Sequence, residues 1–136
     1  MSTMAEIRNG IEERLKSITG LRVHRYLPEK LLTPAALIMP DNGQYSATMD
    51  AGSHDKAFVI QLVASKASSR TGQELLDSFV EEDGDNSIFA AFEDDDTLGG
   101  AADWSRVVGW RDYGGYTISG EEYIGVVFDL EVCSGR

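Results

Sequence analysis

KAFVIQLVASKASSRTGQELLDSFVEE, residues 56–82, changes its apolar period halfway along. From Lys56 to Ala64 the period is two, which puts Phe58, Ile60, Leu62 and Ala64 on one side of an extended chain. After Ser65 it lengthens to about 3.6 residues, and Leu75, Leu76, Phe79 and Val80 form a stripe that stops at Gly84. The spacing predicts a strand over 56–64 followed by an amphipathic helix over 71–82. Both elements have one apolar face to cover, and each can cover the other. That is the signature of a helix layer on a sheet.

Toward the N-terminus, Thr3 followed by Glu6 matches a capping box, and Ile7, Ile11, Leu15 and Ile18 fall on one helical face before Gly20. A helix over 4–19 is expected. Residues 21–26 alternate as a half-buried strand, limited by Pro28, and 35–39 read as a short apolar strand closed by Pro40. PDNG at 40–43 carries the strongest turn chemistry in the chain and predicts an exposed corner. Strands over 44–50 and 56–64 are then joined by AGSHD. Toward the C-terminus, Ser87 caps a third helix with Ile88, Ala91 and Phe92 inward and Glu93–Asp96 at its exit. Strands over 105–113 and 116–132 follow, with Gly114 and Gly115 predicted as a two-residue hairpin turn and room for a break near SGEE. No repeat, low-complexity tract or linker interrupts this order. The expectation is one α+β domain over residues 1–136, a mostly antiparallel or mixed sheet with two to three helices packed on it.

The 136 residues are 42% hydrophobic and 26% charged, ordinary values for a globular chain. The apolar runs at 35–39 and 58–64 fall well short of the ~20 residues that span a bilayer, and no basic segment precedes an apolar one at the N-terminus. No membrane partner is expected, and synthesis is read as cytosolic. Cys133 is the single cysteine, so neither an intrachain disulfide nor a thiolate zinc framework is available. With 23 acidic and 12 basic residues the formal net charge is −11, which repels a phosphate backbone and disfavours unassisted nucleic-acid binding.

Asp94, Asp95 and Asp96 are the one cluster that raises metal chemistry. Adjacent carboxylates point different ways, whereas calcium loops alternate their ligands and magnesium takes one or two carboxylates. Three readings stand: a solvated loop, an interaction surface, and a metal-dependent enzyme. The two histidines, His24 on a strand and His54 in a turn, stand in no serine or cysteine motif that would activate a nucleophile, and no glycine-rich phosphate loop occurs. No catalytic residue, cofactor or metal is therefore assigned.

VIQLVASKASSRTGQELLDSF (59–79), SIFAAFEDDDTLGGAADWSRV (87–107) and GEEYIGVVFDLEV (120–132) together resemble tail terminator proteins of long, flexible-tailed bacteriophages, particularly those of actinobacteria. The matching positions are Ala64 and Ser65, Leu76 and Asp77, Ser87 and Ile88, and Asp95–Gly100 around Thr97 and Leu98. The resemblance implies a structural virion protein, not an enzyme. Assembled in the host cytoplasm, it forms a ring, usually a hexamer, in the tail and neck. Such a ring caps the tail tube protein, stops its polymerisation and meets the head-tail connector protein. DNA passes through it without specific binding. A head-tail connector or head completion protein is the neighbouring alternative. On this basis Tyr45, Met49, Trp110, Tyr113 and Tyr116 are candidate tube or subunit contacts, with an ordinary exposed hairpin and, for Trp110, sheet core as the competing readings. Asp94, Asp95 and Asp96 are the candidate channel lining.

Overall fold

The computed structural model describes residues 3–18, 20–24, 33–45, 53–66, 70–118 and 120–135. Helix α1, Met4–Lys16, starts at a complete capping box: Glu6 N–H donates to the Thr3 hydroxyl and Thr3 N–H donates to Glu6 Oε1, both at 3.1 Å. It ends earlier than the apolar period suggests. Ser17 donates its hydroxyl to the Arg14 carbonyl, and Arg14 and Lys16 put positive charge on the last turn, where the helix dipole favours it. Ile18 stays buried beyond the helix end.

Five strands follow as β1 (Arg22–His24), β2 (Ala35–Tyr45), β3 (Ser53–Lys66), β4 (Trp104–Ile118) and β5 (Glu121–Gly135). Their order across the sheet is β1-β2-β3-β5-β4, with β1 parallel to β2 and the remaining neighbours antiparallel. Between β3 and β4 stand α2 (Arg70–Val80), α3 (Ile88–Asp94) and a 3-10 turn, Leu98–Gly100. This is one α+β unit with a mixed sheet. No helix among the described residues is long and apolar enough to cross a membrane.

Register explains the single helix layer. Phe58 faces Leu130, Ile60 faces Phe128 and Leu62 faces Val126, so the alternating faces of the two central strands coincide. Against that face pack Ile7, Ile11 and Leu15 of α1, Leu76 and Phe79 of α2, and Ile88, Ala91 and Phe92 of α3. Fully burying each of these large side chains contributes about 1.5–3 kcal/mol, so the core is the dominant stabilising term.

Two predicted turns are strands. PDNG lies inside β2, with a bulge between Pro40 and Asn42, and Pro40 pairs with Phe58. The ladder is already irregular at that bulge, which is where a strand tolerates a residue that has no N–H to donate. Gly114 and Gly115 likewise sit within β4, opposite Gly125 and Ile124. The hairpin closes beyond the Ile118–Glu121 pair, where Gly120 takes a φ of +81°. The expected break near SGEE is thus the junction of two strands, with Glu121 and Glu122 already paired in β5.

Candidate functional site

β4 is an edge strand, and two bulges, between Val107 and Gly109 and between Arg111 and Gly114, interrupt its ladder with β5. The first bulge leaves Val108 outside the pairing and 55% exposed. Trp110 pairs with Phe128 and so belongs to the helix side of the sheet, yet it is 51% exposed. Helix α2 stops at Val80 and α3 turns Phe89 outward, so nothing among the described residues closes over the indole. The core reading of Trp110 is thereby corrected to a surface position.

These residues enclose a groove of about 240 Å³. Its walls are Val80 and Glu82 at the end of α2, Phe89 on α3, and Val107 to Trp110 on β4, with Phe128 beneath. Tyr113 extends the aromatic surface: its ring lies 6.2 Å from that of Trp110 at 60°. Its hydroxyl donates to Asp77 Oδ1 at 2.7 Å, which fixes the ring against α2. That hydrogen bond, then partial burial and the charge of Asp77, push the phenol above its ordinary pKa.

Tyr116, expected with Trp110 and Tyr113, lies apart from them. It pairs with Tyr123 on the face of the sheet that the helices leave open, and its hydroxyl donates to the Asp112 carbonyl. Burial raises its pKa. Tyr45 ends β2, paired with His54, while Met49 lies outside the described residues. His24 on β1 and Cys133 on β5 are separated by β2 and β3 and form no common site.

On the open face Arg106 pairs with Glu131 at 2.9 Å, and Arg111 bridges Asp129 and Asp112 at 3.0 and 2.7 Å. Such exposed pairs contribute little stability individually. Among the described residues, no three His, Cys, Asp or Glu side chains converge as metal ligands.

The acidic triplet divides by role. Asp94 ends α3 and pairs with Arg14 of α1 at 3.2 Å. Asp95 turns back into the backbone: Thr97 N–H and the Thr97 hydroxyl donate to Oδ1 at 3.2 and 2.6 Å, and Gly99 N–H donates to Oδ2 at 3.0 Å. The Thr97 hydroxyl is the main reason that this carboxyl is held below its ordinary pKa. Asp96 is exposed, and its carbonyl accepts from the Ser105 hydroxyl at 2.9 Å. Asp95 is thus a turn-forming residue, with Asp94 and Asp96 projecting on either side.

Asp94→Asn and Asp96→Asn are expected to leave the melting temperature within about 2 °C of wild type, as surface substitutions usually do. Asp95→Ala removes three accepted hydrogen bonds and is expected to lower it clearly beyond that. A folded pKa below the unfolded one means that the stabilisation is full above the unfolded value and fades as pH falls through the folded one. The gap between wild type and Asp95→Ala should therefore be constant from pH 8 to 5 and close below about pH 4. Thermal melts across that range check this, and a gap that widens in acid would refute it.

The acidic loop, the aromatic cluster on β4 and the helix stripe were all readable as sequence. Phe89 and Val108 were missed. Phe89 carried a usable signal, because it falls off the helical face defined by Ile88, Ala91 and Phe92. Val108 carried none, since its exposure comes from a bulge fixed only by pairing with β5.

No family model and no curated protein matches the chain. One solved structure, of a protein whose name states no function, aligns over 96% of this chain and 95% of its own at 16% identity, with a TM-score of 0.49.

Proposed function

We propose that this chain is the subunit of a phage tail terminator, a structural protein that assembles into a ring on the finished tail tube, blocks further tube addition and presents its far side to the head connector. The observation that carries the reading is the β4 surface, where Val108, Trp110, Tyr113 and Phe89 stand exposed around an apolar groove. Large exposed apolar clusters mark interaction sites, and tryptophan and tyrosine are the residues that most often dominate binding energy. The sequence similarity of residues 59–79, 87–107 and 120–132 supplies the class of assembly.

Termination needs binding specificity in place of bond chemistry. One face must complement the tube end, and the opposite face must refuse another tube ring. Repeated head-to-tail contacts between subunits close such a ring. Within it, a net charge of −11 would keep a passing phosphate backbone from adhering, and Asp94, the last residue of α3, and Asp96, in the loop that follows, both exposed, are the proposed lining.

Two measurements test this. End-on electron micrographs of the purified protein should show discrete rings. Disrupting the gene in its phage should give tails of uncontrolled length that carry no heads. Tails of normal length joined to heads would sink the proposal, whereas tails of normal length left without heads would reassign the chain to the connector.

A further inference from the structure

We infer that the groove between α2, α3 and β4 receives a short, basic and apolar segment of a different protein, not a second copy of this chain. The inference rests on the reading of the chain as an assembly protein and adds the chemistry of its partner.

Charge is the first ground. From Asp77 to Asp85 the sequence carries five carboxylates and no Lys or Arg, and this span supplies the end of α2 and the loop that leads into α3. Asp77 lies one turn before Val80 on α2, Glu81 follows Val80 directly, Glu82 lines the groove, and Asp83 and Asp85 stand exposed just beyond. The groove is an apolar slot with an acidic rim, complementary to alternating apolar and basic side chains.

The rim is also held in place. Ser87 donates its hydroxyl to the Glu81 carbonyl at 2.5 Å, Asn86 Nδ2 donates to the Ser78 hydroxyl at 3.1 Å, and Ser87 N–H donates to the Gly84 carbonyl at 3.2 Å. A loop already ordered loses little entropy when a partner binds. The volume of about 240 Å³ is below the roughly 300–1,000 Å³ of small-molecule pockets and suits one or two anchoring side chains.

A second copy fits poorly. Two copies each carry a net charge of −11 and repel, and four of the twelve basic side chains, Arg14, Lys16, Arg106 and Arg111, already face carboxylates of their own chain. The two bulges break β4 into short stretches, which discourages edge-to-edge pairing with an identical strand.

The test uses the whole protein and three synthetic heptapeptides: alternating Lys and Leu, alternating Lys and Ser, and alternating Glu and Leu. NMR titration of the Lys–Leu peptide should give saturable shifts at the Trp110 indole N–H, Gly109 and Phe89. W110A and Val108→Ser, both at exposed positions, should each weaken it at least tenfold. The triple variant E81Q, E82Q, D83N should weaken it about fivefold and flatten its salt dependence. The Lys–Ser and Glu–Leu peptides should bind at least tenfold more weakly than Lys–Leu. Shifts outside the groove, equal binding by W110A, or equal binding of Lys–Ser would overturn the inference. So would loss of the protein's own rings in W110A, which would make the groove a contact between copies. Rings without peptide binding refute the inference alone, and peptide binding without rings refutes the ring reading alone.

Discussion

Gly125→Ala is expected to cost about 3 kcal/mol or more, lowering the melting temperature by roughly 10 °C. Gly125 is buried in β5 between Val63 of β3 and Gly114 of β4. A Cβ there would stand 2.3 Å from the Leu62 carbonyl oxygen, and 3.2 Å from both Gln61 Nε2 and Tyr116 Cδ2. The two side chains could move, but the carbonyl belongs to a central strand and cannot move without shifting the ladder. Its φ is not the reason for the glycine; space is. Gly114→Ala, where a Cβ meets nothing within 4 Å, is the control and should cost no more than about 1 kcal/mol. Chemical denaturation of both variants decides the matter, and a Gly125→Ala protein within 1 kcal/mol of wild type would refute the packing described here.

The same contact changes the role of Tyr116. Its ring covers Gly125 on the open face, and its hydroxyl is tied to the Asp112 carbonyl. It is a lid on the central strand and less available to a partner than Trp110 or Tyr113, a distinction that spacing along β4 could not reveal.

What was legible in the sequence was whatever is decided locally. The α1 capping box and the Ser87 cap of α3 formed as the residues require, the latter with Ala90 N–H donating to Ser87 Oγ at 3.0 Å. The switch of period between Ala64 and Leu75 gave the strand, the helix and the face each buries. Non-local pairing set the rest. Turn chemistry at Pro40–Gly43 yields to pairing with Lys56–Phe58, and Gly114–Gly115 yields to pairing with Ile124–Gly125. A glycine pair is permissive and does not compel a turn, so the choice fell to the register of the longer ladder. Of the site, the aromatics of β4 were visible, but not which face each takes, because the bulges that re-aim Val108 and Asp112–Tyr113 exist only against β5.

The acidic loop is held by a second close approach, and Gly10→Ala is expected to release it. In an ordinary helix interior this substitution gains up to about 1 kcal/mol. Here a Cβ at Gly10 would lie 2.6 Å from the Leu98 carbonyl oxygen and 2.7 Å from Leu98 Cβ. Leu98 is buried and sits at a φ of +54°, a conformation that leucine keeps only when its surroundings impose it. Those surroundings are Gly10 below it, the Asp95 carboxylate gripping Thr97 and Gly99, and, one turn along α1, Arg14 paired with Asp94. The 3-10 turn and α1 are therefore one docked unit, and the DDDTLGG stretch is first a clamp and only then a display of charge. Gly10→Ala should destabilise by about 2 kcal/mol, opposite in sign to its helix propensity. It should also accelerate exchange of the Gly99 amide, while Lys–Leu peptide binding at the distant β4 groove stays within about twofold. A more stable Gly10→Ala protein, or one with Gly99 still protected, would show that the loop does not depend on α1. Asp94 and Asp96 would then owe their orientation to the α3 exit alone.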